Sequence, residues 1–148
     1  MINCLFSDDV KKSFMEELNR YLDLETGGVL LGYCSEDCIY VKESIGGGKK
    51  AIREPAFFQF DYAYVEKACA NICAKYNPPL TLVGVWHKHN HDLDPAFSKA
   101  DYDMHKKLSD QYKDVISVLF QKGHNNEYKV QILDSNMTIR QIDIIDDL

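Results

Sequence analysis

The sequence predicts an α/β or α+β fold, with helices packed around one sheet in a single domain over residues 1–148. Three observations predict it. Short apolar runs of strand length alternate along the chain with amphipathic stretches of helical period. The length of 148 residues is that of one ordinary domain, and 45% of the residues are apolar, enough for a sizeable core. No repeat, low-complexity segment or linker-like stretch interrupts the alternation.

Residues 8–22 are expected to form the first helix, because Val10, Phe14, Leu18 and Leu22 recur at i, i+4 spacing and Ser7 or Asp8 can cap its start. After Glu25-Thr26-Gly27-Gly28, the apolar run 29–33 reads as a buried strand. A turn at Ser35-Glu36-Asp37 then leads into a second strand over 38–42, as a hairpin. The Gly-rich stretch 45–56 is expected to be a long loop and a candidate cleft wall or lid. Residues 57–60 form a short apolar segment. Residues 61–76 form a second helix, with Tyr64, Ala68, Ile72 and Tyr76 in register, ending before Asn77-Pro78-Pro79.

Residues 80–87 read as a central strand and 90–97 as a loop. Ser98 fits the N-cap of a third helix running to about residue 111, with Asp101 at its third position. A strand over 115–121 and an antiparallel pair over 128–133 and 138–142 close the domain.

Composition excludes several function classes. The net charge is −6 and the lysines are scattered, so the electrostatic footprint of a nucleic-acid binder is missing. No stretch approaches the roughly 20 apolar residues of a membrane span. The start, MINCLFSDDVKK, lacks the pattern of a secretion signal, so a cytoplasmic location is expected. The five cysteines are then expected as free thiols. Cys34 and Cys38, and Cys69 and Cys73, lack the tight two-residue spacing common in structural zinc sites.

The chemistry concentrates in VGVWHKHNHDLDPAFSKADYDMH, residues 83–105, which holds four of the five histidines. In a strand, residues two apart face the same side, about 6 to 7 Å apart along the chain. His87 and His89 can therefore aim at one point where the strand ends, and a carboxylate on the first turn of the next helix can approach from the opposite side. Two neutral imidazoles and one carboxylate form a three-ligand zinc site with an open fourth position for water. Zinc lowers that water's pKa towards ~7. The rival explanation is a polar strand edge. The apolar strand before the H-x-H and the S-x-x-D after it weigh against that. A hydrolase also needs a base that takes a proton from water and returns one to the leaving amine. Glu25, at the mouth of the first buried strand and before two glycines, is placed for it, although position alone does not separate this from a surface carboxylate ending the first helix.

Taken together, ETGGVLLG (25–32), HKH (87–89) and SKAD (98–101) resemble the JAB/MPN zinc metalloprotease family, also called JAMM, and in particular its prokaryotic, deubiquitinase-like members. The resemblance spans roughly residues 8–133 and includes the segment GGGKKAIREPAFFQFD and the helix after it. It implies a cytidine-deaminase-like fold, a curved mixed sheet flanked by α-helices. It implies one Zn2+ per chain held by His87, His89 and Asp101. Glu25 would be the general acid/base and Ser98 the residue that steadies the oxyanion. The implied activity is hydrolysis of an amide bond at the C-terminal tail of a ubiquitin-like protein, as isopeptidase or maturing protease. Implied partners are that protein or its conjugates and, in bacterial anti-phage operons, enzymes of the ubiquitin-activating and conjugating type.

This sequence departs from the family pattern in four places. Lys88 replaces the usual Ser or Thr between the histidines and is expected to change the charge beside the metal. Asn90 replaces the usual proline, the His89–Ser98 spacing is one residue longer than in eukaryotic members, and His91 is extra. His91 could be a third ligand only if the strand ran on to it, and Asp92, Asp94 and Pro95 mark a loop instead. His105 lies on Asp101's helical face and is expected either to orient it or to pack there. His124 falls in a turn, Trp86 faces the core, and Phe97 packs beneath the site or staples the third helix. Two other readings stay open: a non-catalytic scaffold of MPN type, and an amidase acting on a sulfur-carrier protein or a small molecule. A nucleoside deaminase does not fit, because the P-C-x-x-C signature is absent.

Overall fold

A computed structural model describes residues 3–90, 97–112, 114–123, 127–142 and 148. The chain runs β1 (Asn3–Phe6), α1 (Asp8–Arg20), β2 (Thr26–Cys34), β3 (Cys38–Gly46), β4 (Ile52–Glu54), β5 (Phe57–Gln59), α2 (Tyr62–Cys73), β6 (Thr81–His89), α3 (Lys99–Gln111), β7 (Ile116–Lys122), β8 (Tyr128–Leu133) and β9 (Ile139–Ile142). Seven strands form one mixed sheet in the order β1-β3-β2-β6-β7-β8-β9, and β4 and β5 form a separate two-stranded sheet. The β1–β3 and β6–β7 pairs are parallel and the others antiparallel. Because β6 and β7 are parallel neighbours, the chain must cross the sheet between them, and α3 is that crossover.

The sheet is covered on both faces, as its apolar strands require. On one face α1 buries Val10, Phe14 and Leu18 against Leu30, Trp86, Val118 and Phe120. The Phe14 ring meets Trp86 at 5.2 Å and Phe120 at 4.9 Å, both edge to face. On the other face Val65, Ala68, Cys69 and Ile72 of α2 and Leu108 of α3 pack on Val29, Leu31, Ile45 and Val85. Two register shifts accompany the curl of the sheet. Val83 is an extra residue on β6 against β2, and Lys42 is an extra residue on β3. Such bulges bend a strand and raise its twist. Gly28 makes room for the strands on either side of β2, since a Cβ there would stand 2.0 Å from the Ile45 carbonyl oxygen on β3 and 2.6 Å from Trp86 Nε1 on β6.

The predicted elements are present with several corrections. The first helix ends at Arg20 rather than 22, with Tyr21 as its C-cap. The second helix spans Tyr62–Cys73, and Tyr64 is 47% exposed, so its inner face is Val65, Ala68, Cys69 and Ile72. Stretch 45–56 is not one long loop: β3 continues to Gly46, and Ile52–Glu54 pairs with Phe57–Gln59. The edge strand β1 was not predicted. No helix among the described residues is long and apolar enough to cross a membrane. No disulfide joins the described cysteines.

Candidate metal centre

The site is assembled by one register and one helix start. In the β2–β6 ladder Thr26 pairs with Lys88 and Gly27 with His87. Glu25, one residue before Thr26, therefore arrives beside His89, and its Oε1 lies 3.6 Å from His89 Nε2. Strand β6 runs two residues further than predicted, to His89. Both imidazoles thus stand on one face of a regular strand, with their Nε2 atoms 3.1 Å apart.

The third group comes from the first turn of α3. Ser98 is the N-cap, its Oγ accepts the Asp101 N–H at 3.2 Å, and the Asp101 Oδ2 accepts the Ser98 N–H at 2.7 Å. This capping box fixes the carboxylate's orientation. Its Oδ1 lies 3.1 Å from His87 Nε2 and its Oδ2 3.5 Å from His89 Nε2. Burial works to raise the Asp101 pKa, but the hydrogen bond and charge of His87 and the two Ser98 donors outweigh it and hold the carboxyl at about 2. The carboxylate is therefore ionised across the neutral range.

One ligand atom each from His87, His89 and Asp101 lie within 4.8 Å of one another. Around a tetrahedral zinc with ligands at roughly 2.0 to 2.1 Å, ligand atoms stand roughly 3.3 Å apart. His87 Nε2 stands 3.1 Å from both His89 Nε2 and Asp101 Oδ1, separations that fit two edges of that polyhedron. Two imidazoles and a carboxylate are also the donor set of a divalent metal of the zinc type. The side chains of Glu25, His87, His89 and Asp101 are 12–16% exposed, shielded from bulk water yet reachable. All four, with Ser98, line one cavity of about 350 Å³.

Lys88 corrects an expectation. It does not stand beside the histidines, because alternation along β6 sends it to the opposite face, where it is fully buried. Its Nζ donates to the carbonyl oxygens of Tyr21 and Leu22, the latter at 2.9 Å. These carbonyls sit where α1 ends, at the negative pole of its dipole. Lys122 Nζ donates to the Leu22 carbonyl at 3.1 Å. Burial, with Lys122 nearby, lowers the Lys88 pKa to about 8. The lysine ties the segment leading into Glu25 to the strand that carries the histidines.

Four hydrogen bonds missed from sequence frame Glu25. Its N–H donates to the Glu54 carbonyl at 2.8 Å. Arg53 Nε donates to Thr26 Oγ1 at 3.0 Å. Asn90 Nδ2 donates to the carbonyls of Asp23 and Pro55, both at 2.9 Å. These contacts join residues remote in sequence, so no local pattern announces them.

His105 does not orient Asp101. It is buried, with Nε2 against the Asp134 carbonyl and Nδ1 against Ser117 Oγ, both at 2.8 Å. A carbonyl only accepts, so Nε2 carries the proton and Nδ1 accepts from the serine. Phe97 is buried with Leu119, Leu133 and Tyr102, its ring 6.4 Å from His87's, and so packs beneath the site. Trp86 faces the core as predicted. His91, with Asp92, Asp94 and Pro95, and His124 lie outside the described residues.

No family model matches the chain. A curated relative, the probable metalloprotease y4qB of Sinorhizobium fredii (strain NBRC 101917 / NGR234), is 29% identical over 83 residues, 55% of this chain and 51% of that protein. The chain thus spans about half the length of the relative it matches. Among solved structures, the protein DSY2949 of Desulfitobacterium hafniense is similar with a TM-score of 0.63 at 15% identity, over 95% of this chain and 90% of that one. At that identity the likeness is one of fold: a mixed α/β domain with its curved sheet flanked by helices.

Proposed function

We propose that the chain is a zinc-dependent peptidase that hydrolyses an amide bond at the C-terminal tail of a ubiquitin-like protein, in deconjugation or maturation. The observation that carries the hydrolase reading is the convergence of His87, His89 and Asp101 with Glu25 3.6 Å from His89 in a single cavity. Similarity to a protein named as a probable metalloprotease supports it at that coarse level. The ubiquitin-like substrate, and any activating or conjugating enzyme as partner, rest on the ETGGVLLG, HKH and SKAD resemblance.

His87, His89 and Asp101 would hold the metal, and a bound zinc supplies Lewis acidity toward a carbonyl oxygen and toward water. The remaining steps belong to the chain's own groups. Glu25 takes a proton from the attacking water as its oxygen bonds to the carbonyl carbon. The same carboxyl returns that proton to the leaving nitrogen as the carbon–nitrogen bond breaks. Ser98 Oγ accepts the Asp101 N–H, and its O–H, one of the donors that face the Asp101 carboxylate, would turn to the charge developing on the carbonyl oxygen. Asp101 is ionised and locked by Ser98, so it need not reorganise during the reaction.

Zinc stoichiometry and cleavage of ubiquitin-like fusion proteins test the reading together. Wild type should bind one zinc per chain and cleave. His89→Ala should bind none. Glu25→Gln should keep the zinc and lose cleavage by a factor on the order of 10² or more, the scale of lost acid–base catalysis. A wild type that takes up no zinc when supplied would leave the scaffold reading in its place. A zinc-loaded wild type that turns over small amides but no fusion protein would favour the amidase.

A further inference from the structure

We infer that the cavity beside the metal ligands is a subsite for one large apolar side chain next to the scissile bond, so that the substrate is a peptide segment with Leu, Phe or Met at that position. This rests on the peptidase reading and adds a substrate class to it. The cavity has two unlike sides. One is the polar set of Glu25, His87, His89, Ser98 and Asp101; the other is Phe57, Phe58, Phe60, Val85 and Met104. No lysine or arginine lines it among the described residues, whereas two carboxylates do. On the aromatic side, away from the proposed zinc, an acidic side chain would be desolvated against phenyl rings with no lysine or arginine to pair it, which would cost binding. A glycine would leave the aromatic side unfilled.

The apolar wall is built rather than incidental. Phe58 is seated against two glycines: a Cβ at Gly27 would stand 3.0 Å from its ring, and one at Gly47 2.7 Å. The Phe58 and Phe60 rings pack edge to face at 4.9 Å. The hairpin that carries the wall is bonded to the site through Glu54 and Pro55, whose carbonyls accept from Glu25 N–H and Asn90 Nδ2, and through Arg53 on Thr26. The hairpin is thereby tied to the residues that flank the triad, and a peptide presenting an amide to the triad lays a neighbouring side chain on the wall. Phe57 is 46% exposed on the hairpin, so apolar area remains there for a substrate to cover. A volume of about 350 Å³ has room for such a side chain together with the amide it flanks.

Two quenched-fluorophore peptide series, each varying one of the two residues flanking the cleaved bond through Gly, Ala, Leu, Phe, Met, Asp and Lys, test the inference with zinc-loaded wild type. At one position kcat/KM should rise about tenfold or more from Gly to Leu or Phe, the effect of burying a large apolar side chain, and Asp should fall below Gly. Phe57→Ser should reduce the preference to threefold or less. Ile52→Ser, an exposed change on the same hairpin outside the cavity, should leave it intact. Calorimetric titration of the same peptides into Glu25→Gln should show the same ranking in Kd. Cleavage that is indifferent to both positions, or a preference that survives Phe57→Ser, overturns the subsite and spares the peptidase. If no peptide is cleaved, the fusion-protein assay decides the peptidase reading and the titrations decide the subsite alone: a ranked Kd upholds it and a flat one ends it.

Discussion

Ser98 puts two demands on one hydroxyl. As N-cap it accepts the Asp101 N–H, a local contact worth about 1 kcal/mol. In the proposed reaction it also donates to the carbonyl oxygen. The two roles separate by substitution. Ser98→Ala should lower stability by about 1 kcal/mol, whereas Ser98→Gly should cost only a few tenths. Both should lose activity on the order of 10²-fold, the scale of a lost oxyanion donor. Thermal melts beside kcat measurements check this, and a Ser98→Gly enzyme of full activity would confine the residue to capping. Lys88 makes a second case. Lys88→Met removes the donor to the Tyr21 carbonyl and loosens the approach to Glu25 while leaving the ligands in place. The expected result is one zinc per chain and unchanged KM, with kcat down about tenfold. Loss of the zinc instead would show that Lys88 supports the histidines rather than Glu25.

At the scale of elements, His105 pins α3 to the sheet, joining the helix to Ser117 on β7 and to the Asp134 carbonyl after β8. Burial lowers its pKa below the ordinary 6.5, while the Asp134 carbonyl and charge pull the other way. A histidine held neutral in the fold contributes stability that is complete above its unfolded pKa. That stability is lost as pH falls from about 6.5 towards the lower folded value, because only the unfolded chain then gains the proton. Denaturant midpoints should therefore drop between pH 7 and 5 in wild type and drop less in His105→Gln. Parallel curves for the two proteins would count against this linkage. The same scale explains why β1 and the β4–β5 hairpin were not legible in the sequence. Strands of three or four residues are too short to display an alternation, and residues 45–56 are rich in glycine and lysine. The first helix was read two residues too long because no glycine or proline marks its end. Two carbonyls just past that end are held by Lys88, which comes from a strand far along the chain.

For the whole molecule, a metal bound only by the folded state adds stability by mass action. Free zinc at a hundredfold above its Kd should contribute about 2.7 kcal/mol, a Tm rise of roughly 5 to 10 °C for a domain of this size. Chelation should reverse the rise, and His89→Ala should show none of it in a thermal scan. A wild-type Tm that ignores both zinc and chelator would argue against the site. The sequence by itself determined what depends on near neighbours: the helices and main strands from apolar period, the capping box at Ser98 and Asp101, and two histidines on one strand face. These follow from repeat distances of a few residues, which any stretch of chain carries within itself. Only the tertiary structure decided where Glu25 falls, which way Lys88 points, what His105 holds, and that an aromatic wall stands beside His87, His89 and Asp101. Those facts depend on the β2–β6 register and on the docking of a hairpin, set by packing between segments far apart in sequence.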